Sequence, residues 1–514
     1  MKVKKHDEVS KNKSKDIKRK KQDRALNILF AASEVSPFAK TGGLGEVTGD
    51  LPRYLHALGH DVRVLLPRYY SIDPELYELK LLPGTLVVPM GIIGEMYCSV
   101  WEGRLPKSNV PVYFLEHQGL YGREGIYGID NIAFMDNDNR YIFLSRAALE
   151  LPKMLDWHPD ILHAHDWHTA AVPVFLNTKY RSDPFVGRAA SILTIHNMQH
   201  QGDFYPGLMD VLDIGWDHFT FLELEKDDQV NLLKGGLYHA TLLNSVSEGY
   251  AREIKTPAYG WGLEGVIRER AADLYGILNG VDYSDWNPAT DSFLPANYTD
   301  SDLSGKTACK RELQRRFSLP ELDVPVFGIV SRMVAQKGTD ILAEAIHNMI
   351  KLDIQVVVVG NGEPWAHFFF GGMAHRHPDK VGCYIGYSDE LAHLVEAGSD
   401  FFLMPSAFEP CGLNQMYSLA YGTPPIVRAT GGLDDSVTNF DEATLTGDGF
   451  KFWSHSATAL YNTVGWATWT YYNNHAGLTA LRKNGMAKRF TWENSASKYE
   501  QMYLEALRRK FGEQ

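Results

Sequence analysis

Cysteine is scarce in this chain, and long apolar runs are absent from it. Only Cys98, Cys309, Cys383 and Cys411 occur in 514 residues, and no two form a C-x-x-C pair. That spacing excludes a disulfide framework and a structural zinc knuckle, and it points to a reducing compartment. No apolar run approaches the ~18–20 residues that a membrane-spanning helix needs, so no membrane partner is expected. The glycines after the first strand-like run, Gly43, Gly45 and Gly49, miss the G-x-G-x-x-G spacing. A nicotinamide cofactor is therefore not expected.

Positive charge is also scarce outside one end. Residues 1–25 hold eleven Lys or Arg against four Asp or Glu, a balance of +7, so a total of −12 leaves −19 on the rest. Such an acidic body argues against nucleic acid as a partner. The basic 1–25 stretch has the composition of a disordered tail. No apolar core follows it, which argues against a secretory signal, and its acids and its lysine-rich character argue against a transit peptide.

What is present is an ordinary globular composition, 44% apolar and 22% charged. At 514 residues the chain exceeds the ~250–300 at which one core splits into domains. Short apolar runs alternate with helix-length segments. Residues 62–67, 111–115, 160–164, 190–195 and 242–246 read as buried parallel strands, as does the run from Asn27 to Ala32. The same grammar returns at 326–330, 355–360, 383–386, 401–405 and 425–427. The expectation is an α/β protein of two doubly wound domains facing across a cleft. The first spans 26–277 and the second 278–490. Their seam is the turn-rich stretch from Leu278 to Asp282, after a helix expected over 263–273. Residues 491–514 form a last helix.

Ligands of open α/β sheets sit beyond the carboxyl ends of the strands, and the informative motifs lie there. Lys40-Thr41-Gly42-Gly43-Leu44-Gly45-Glu46 joins the first strand to a helix. Strand, glycine turn and helix aim backbone N–H groups at an anion, and Lys40 adds a mobile cation. Arg332 and Lys337 follow the 326–330 strand; a planar donor and a compact ammonium suit a diphosphate whose charge grows as a bond to it breaks. Glu409-Pro410-Cys411-Gly412-Leu413-Asn414-Gln415 follows the 401–405 strand and opens a helix.

His163-Ala164-His165-Asp166-Trp167-His168 looks like a metal cluster. The binuclear zinc spacing is H-x-H-x-D-H, however, and Asp166 sits one place too early. His196 and Asn197 end the next strand, with Gln199, Gln201 and Asp203 close behind as a sugar-binding loop. Asp136-Asn137-Asp138 reads as D-x-D, but a helical pattern follows it, so helix capping is the expectation. Gly360-Asn361-Gly362, Gly386-Tyr387 and Thr430-Gly431-Gly432 supply further turns. Tyr387 suits stacking on a base, and Gly431 and Gly432 suit close approach of backbone to phosphate.

From about Ile28 to about Tyr503 these motifs resemble those of the bacterial glycogen synthase and plant starch synthase family. The matching strings are K-T-G-G-L-G, H-A-H-D-W-H, T-x-H-N, S-R-x-x-x-Q-K-G and E-P-C-G-L-x-Q. The family usually has Asp where this chain has Glu46. The resemblance implies the GT-B glycosyltransferase fold and a retaining transfer of glucose from ADP-glucose to the non-reducing end of an α-1,4-glucan. It implies that Arg332 and Lys337 hold the donor's distal phosphate and that Glu409 contacts the transferred glucose. Asp166 and His168 then face the sugar cleft, with His196 beside the anomeric carbon. Lys40, Gly42, Gly43, Asn279, Tyr387, Cys411, Gly412, Leu413, Thr430, Gly431 and Gly432 complete the substrate contacts. Tyr417 stands where related transferases carry a second Glu. No metal or other cofactor is implied, and Cys411 has no covalent role. Bacterial cytoplasm is the expected setting, with plastid as the alternative. Three readings stay open beside this one: a related transferase using UDP-glucose or another acceptor, a zinc hydrolase at the histidine-rich segment, and a glucan-binding protein without turnover.

Overall fold

The computed structural model of the chain describes residues 25–129 and 132–512. The basic stretch read as a tail lies, apart from Ala25, outside the described residues. Two sheets organise the rest. In the first, parallel strands run from one edge in the order Leu274–Gly276, Leu242–Ser245, Ala190–Ile195, Ile161–His165, Asn27–Ala31, Asp61–Pro67 and Pro111–Glu116. Beyond Pro111–Glu116 the pairing turns antiparallel, through Glu95–Arg104 to Lys80–Leu81 and Leu86–Pro89. This edge mixes buried with exposed side chains, so a search for unbroken apolar runs passes over it.

The second sheet is parallel throughout, in the order Val381–Ile385, Gln355–Gly360, Val326–Val330, Phe401–Met404, Pro425–Arg428 and Phe450–Phe452. The central strands are covered on both faces by helices. That is why they read as continuous Val, Ile, Leu and Phe rather than as alternating patterns. Each sheet reverses its strand order beside its first strand. Such a reversal opens a crevice at the carboxyl ends. In the first sheet the crevice lies between Asn27–Ala31 and Ile161–His165, and in the second between Val326–Val330 and Phe401–Met404.

Helix Gly43–Ala57 forms because Leu44, Val47, Leu51 and Leu55 recur at helical spacing and all are buried against the first sheet. The helix expected over 263–273 is shorter, Glu264–Glu269. Arg270 ends it by donating to the carbonyls of Leu237, Tyr238 and Ala240 while its Nε binds Asp273 at 2.6 Å. The chain is thereby turned into Leu274–Gly276, a strand that pairs with Leu243, Asn244 and Ser245 and makes the sheet edge. This edge strand lies beyond the 242–246 strand, which closes the first half in the sequence reading, and it was missed there.

The final helix, Trp492–Phe511, packs on the first sheet although it follows the second. Its Trp492 Nε1 donates to Asp50 at 3.0 Å, its Tyr499 hydroxyl accepts from Asn244 at 2.8 Å, and its Tyr503 hydroxyl bonds His163 Nδ1 at 2.9 Å. No helix among the described residues is long and apolar enough to cross a membrane.

Candidate active site

The two crevices open onto one cavity of about 1030 Å³. Residues of the first sheet's loops line one wall, and residues of the second line the other. Lys40, Gly42, Gly43, Asp166, His168 and His196 come from the first; Arg332, Lys337, Tyr387, Glu409, Cys411, Gly412 and Leu413 come from the second, with Asn279 at the seam.

On the first wall the glycine turn is held from behind by Glu34, which the motif search missed. Its carboxylate accepts from Thr41 N at 2.6 Å, Thr41 Oγ1 at 2.8 Å and Gly42 N at 3.2 Å, and also from the Tyr127 hydroxyl at 2.6 Å. The clue was position: Glu34 lies three residues beyond a strand's carboxyl end. Gly42 and Gly43 have no atom within 4 Å of where a Cβ would sit. Their backbone thus faces open space in the cavity, whereas Gly49 packs against Ser36 O. Lys40 forms an ion pair with Glu46, both partly exposed.

Asp166 sits at φ +51°, in the left-handed region. Holding a non-glycine residue there costs on the order of 1–3 kcal/mol. The fold holds it there because Asp166 Oδ1 accepts from His196 N at 2.7 Å and Asn197 N at 3.3 Å, tying the ends of neighbouring strands together. Burial raises the Asp166 carboxyl to about 7, against the pull of those two amides. Burial also holds His196 down at about 3, so its imidazole is neutral; its Nε2 lies 3.0 Å from His165 Nδ1. His168 stacks on Tyr127 with ring centroids 4.7 Å apart, and its Nδ1 is buried without a partner.

His163 spends both ring nitrogens, on Tyr503 at 2.9 Å and Thr194 at 2.7 Å. The histidine-rich segment is therefore divided between core and cleft, and it does not converge as a zinc ligand set. Nor does Asp136 cap the helix that begins at Asn137: no side-chain cap bond forms, and the carboxylate pairs with Arg123 instead. Of the loop after His196, Asn197 and His200 line the cavity. Gln201 and Asp203 turn inward to the Asn231 amide, at 2.8 and 2.6 Å, and hold the loop's shape.

On the second wall, Lys337 Nζ donates to Glu409 Oε2 at 2.6 Å, and Ser406 Oγ donates to the same oxygen at 3.2 Å. Glu409 is buried. Arg332 is exposed, its guanidinium 3.3 Å from Gln336 Oε1. Asn414 Nδ2 donates to Val330 O at 2.8 Å and so locks the Glu409 loop to the strand that delivers Arg332. Gln415 turns away from the cavity, donating to the Cys411 and Gly412 carbonyls at 3.1 and 2.9 Å. Burial pushes the Cys411 thiol up to about 12, so it is no nucleophile at neutral pH. The Asn279 Oδ1 is buried without a partner. Tyr387 presents an exposed ring, its hydroxyl 2.5 Å from Asp389 Oδ1. Tyr417 supplies no acid; it stacks on Trp286 at 3.9 Å, whose other face meets His393 at 3.8 Å.

Three expected contacts are placed elsewhere. Thr430, Gly431 and Gly432 do not line the cavity. Thr430 Oγ1 and Gly431 N donate to Glu253 of the first half at 2.8 and 2.9 Å. A Cβ on Gly431 or Gly432 would fall 2.1 Å from the carbonyl oxygens of Glu409 or Cys411, so these glycines permit packing beneath the Glu409 loop. Gly360 and Gly362 do the same under Arg332, where a Cβ would meet Ser331 O at 1.9 Å or Met333 O at 2.3 Å. Gly386 also lies off the cavity wall.

Two Rossmann-like sheets whose switch points face one cleft, with cations and carboxylates converging from both, define a GT-B glycosyltransferase. The matches to known proteins agree. Residues 27–269 match the starch synthase catalytic domain family and residues 310–465 the glycosyl transferases group 1 family. Glycogen synthase 1 of Geobacter sulfurreducens is 69% identical over 95% of this chain and 97% of its own length. The glycogen synthase of Myxococcus xanthus is 47% identical over 93% and 99%. The catalytic domain of starch synthase IV from Arabidopsis thaliana, solved with ADP and acarbose, superposes with a TM-score of 0.87 at 31% identity, over 94% of this chain and all of that one. Sucrose-phosphate synthase from Thermosynechococcus elongatus shares the fold, with a TM-score of 0.58 at 17% identity over 94% and 99%. The chain belongs to the glycogen synthase family.

Proposed function

We propose that this enzyme transfers glucose from ADP-glucose to the non-reducing end of an α-1,4-glucan with retention of configuration. The observation that carries the reading is the meeting of Lys40 with Arg332 and Lys337 along one cavity that also holds Asp166, His196 and Glu409. The three cations stabilise the departing diphosphate. Asp166, His196 and Glu409 position the glucose and the positive charge that develops at its anomeric carbon. The bond from that carbon to the ADP phosphate breaks, the acceptor's terminal 4-hydroxyl oxygen bonds to the same face, and its proton passes to a phosphate oxygen of the leaving ADP.

Glu409 is committed to Lys337, and Asp166 to two backbone amides, so neither is assigned as a nucleophile. Tyr387 is the platform for the base. Residues 26–277 hold the acceptor and the catalytic loop, residues 278–490 hold the nucleotide sugar, and 491–514 brace the first domain. We assign the reaction to the bacterial cytoplasm, in keeping with four free cysteines and bacterial relatives.

The test is ADP release with and without glycogen, from ADP-glucose and UDP-glucose side by side. Glycogen-dependent release, at least tenfold faster with ADP-glucose, supports the proposal. Faster release from UDP-glucose overturns the donor assignment, and release that ignores glycogen overturns the acceptor.

A further inference from the structure

Off the cleft wall, the first half carries a cluster that the transfer reaction does not use. His218 ends the short helical turn Trp216–His218, Glu223 lies in the following loop, and His239 closes helix Leu232–His239. None of the three lines the cavity. Glu223 Oε2 accepts from His218 Nδ1 at 2.6 Å and from His239 Nε2 at 3.1 Å. The three ligand-type atoms lie within 4.8 Å of one another, and among the described residues this is the one group of His, Cys, Asp or Glu side chains gathered so closely.

We propose that His218, Glu223 and His239 form a binding site for a divalent transition metal of the zinc class. Two imidazoles with one carboxylate favour zinc, cobalt or nickel over magnesium and calcium, which take oxygen ligands. Tetrahedral ligation at about 2.0–2.2 Å separates ligand atoms by roughly 3.3 Å. The observed 2.6 and 3.1 Å, within a group no more than 4.8 Å across, bracket that spacing from below and above, so an ion enters by side-chain rotation that exchanges the two hydrogen bonds for metal bonds. His239 is nearly buried, whereas His218 keeps 29% of its side chain exposed, which leaves an outward position for water as the fourth ligand.

The frame around the ligands is rigid before any ion arrives. Lys234, one turn before His239, donates to the carbonyls of Phe221 and Glu225 on either side of Glu223. Asn177 Nδ2 donates to His239 O at 2.7 Å, and Trp216 Nε1 binds Asp210 at 2.8 Å, fixing the start of the His218 turn. Arg270 is the cation that faces His239, and its charge is matched by Asp273 at 2.6 Å. Ligand-bearing segments pinned in this way lose little entropy on binding. A bound ion ties the 216–226 loop to the helix that ends at His239.

The full-length protein, stripped with chelator, is titrated with zinc by calorimetry and with cobalt by visible absorption. The expected result is one saturable site per chain with micromolar or tighter affinity and the d–d bands of a low-coordinate cobalt ion. His218→Asn, Glu223→Gln and His239→Gln are each expected to weaken binding at least tenfold. Added zinc raises the melting temperature of the wild type and not of the variants. His218 is partly exposed, so His218→Asn keeps the test valid even if His239→Gln misfolds. No saturable binding below about 100 μM, or a cobalt spectrum unchanged by His218→Asn, overturns the site. All three readouts are independent of glucan synthesis.

Discussion

The ammonium of Lys337 lies 2.6 Å from the buried carboxylate of Glu409, across 72 residues of sequence. Each side chain is the other's charge partner, and in the proposed reaction the donor's diphosphate competes for the cation. Lys337→Ala and Glu409→Gln are expected to lower kcat several hundredfold or more, which corresponds to about 3.5 kcal/mol of lost transition-state stabilisation. Lys337→Ala also strands a buried carboxylate, at a cost on the order of 3 kcal/mol, reduced here because Lys337 keeps 21% of its side chain in water. Steady-state rates and a melting curve on the same samples check both effects. A variant with near-normal turnover removes that residue from the reaction.

Lys40 behaves differently because its pair with Glu46 is partly exposed. Such pairs contribute about 0–1 kcal/mol to stability, so Lys40→Ala leaves the melting temperature within a few degrees of the wild type. The KM for ADP-glucose is expected to rise roughly tenfold, a loss near 1.4 kcal/mol of phosphate binding. An unchanged donor KM takes Lys40 off the phosphates.

Burial makes the stability contribution of the Asp166 carboxyl depend on pH. Its folded carboxyl is raised to about 7, far above the unfolded value near 3.9. The folded state thus favours the protonated form, and that stabilisation is fully present below about pH 4 and is lost as pH rises through about 7. Asp166→Asn keeps an acceptor for the His196 and Asn197 amides without the buried charge. Relative to the wild type it is expected to gain stability between pH 5 and 8, by a few kcal/mol at most, while losing activity. Urea unfolding at several pH values tests this, and a stability difference that does not change with pH contradicts it.

Two glycines separate packing from ligand approach. Gly42 has an extended φ of −166° and open space around it, so Gly42→Ala leaves stability unchanged and raises the donor KM by placing a methyl in the cavity. Gly431 has φ +45°, and a Cβ there would sit 2.1 Å from Glu409 O. Gly431→Ala is expected to cost more than 1 kcal/mol and to lower kcat by moving Glu409. Melting curves beside rates distinguish the two. Equal melting temperatures for both variants contradict the assignment.

Eleven strands, both crevices and the residues at their tips were legible in the sequence because a parallel strand buried on both faces must be apolar along its whole length. Connectivity delivers the loop after such a strand to the cleft mouth and so placed Asp166, Arg332 and Glu409 there, while the family resemblance singled them out within those loops. Glu34 and Tyr127 were not legible, since they join through a hydrogen bond spanning 93 residues. Strand Leu274–Gly276 was hidden by the Ala271-Ala272 pair before it, which reads as helix until Arg270 finds its carbonyls.

Chain order and side-chain polarity alone determined that this protein has two doubly wound halves with chemistry at the strand ends. Only the tertiary structure decided which glycines face the open cavity and which pack on backbone, since Gly42 and Gly431 look alike in a string. It also decided which histidines are core, because His163 differs from His168 only in what lies opposite. Periodicity records whether a position is buried; the partner there comes from elsewhere in the chain, and distance along the sequence carries no memory of it.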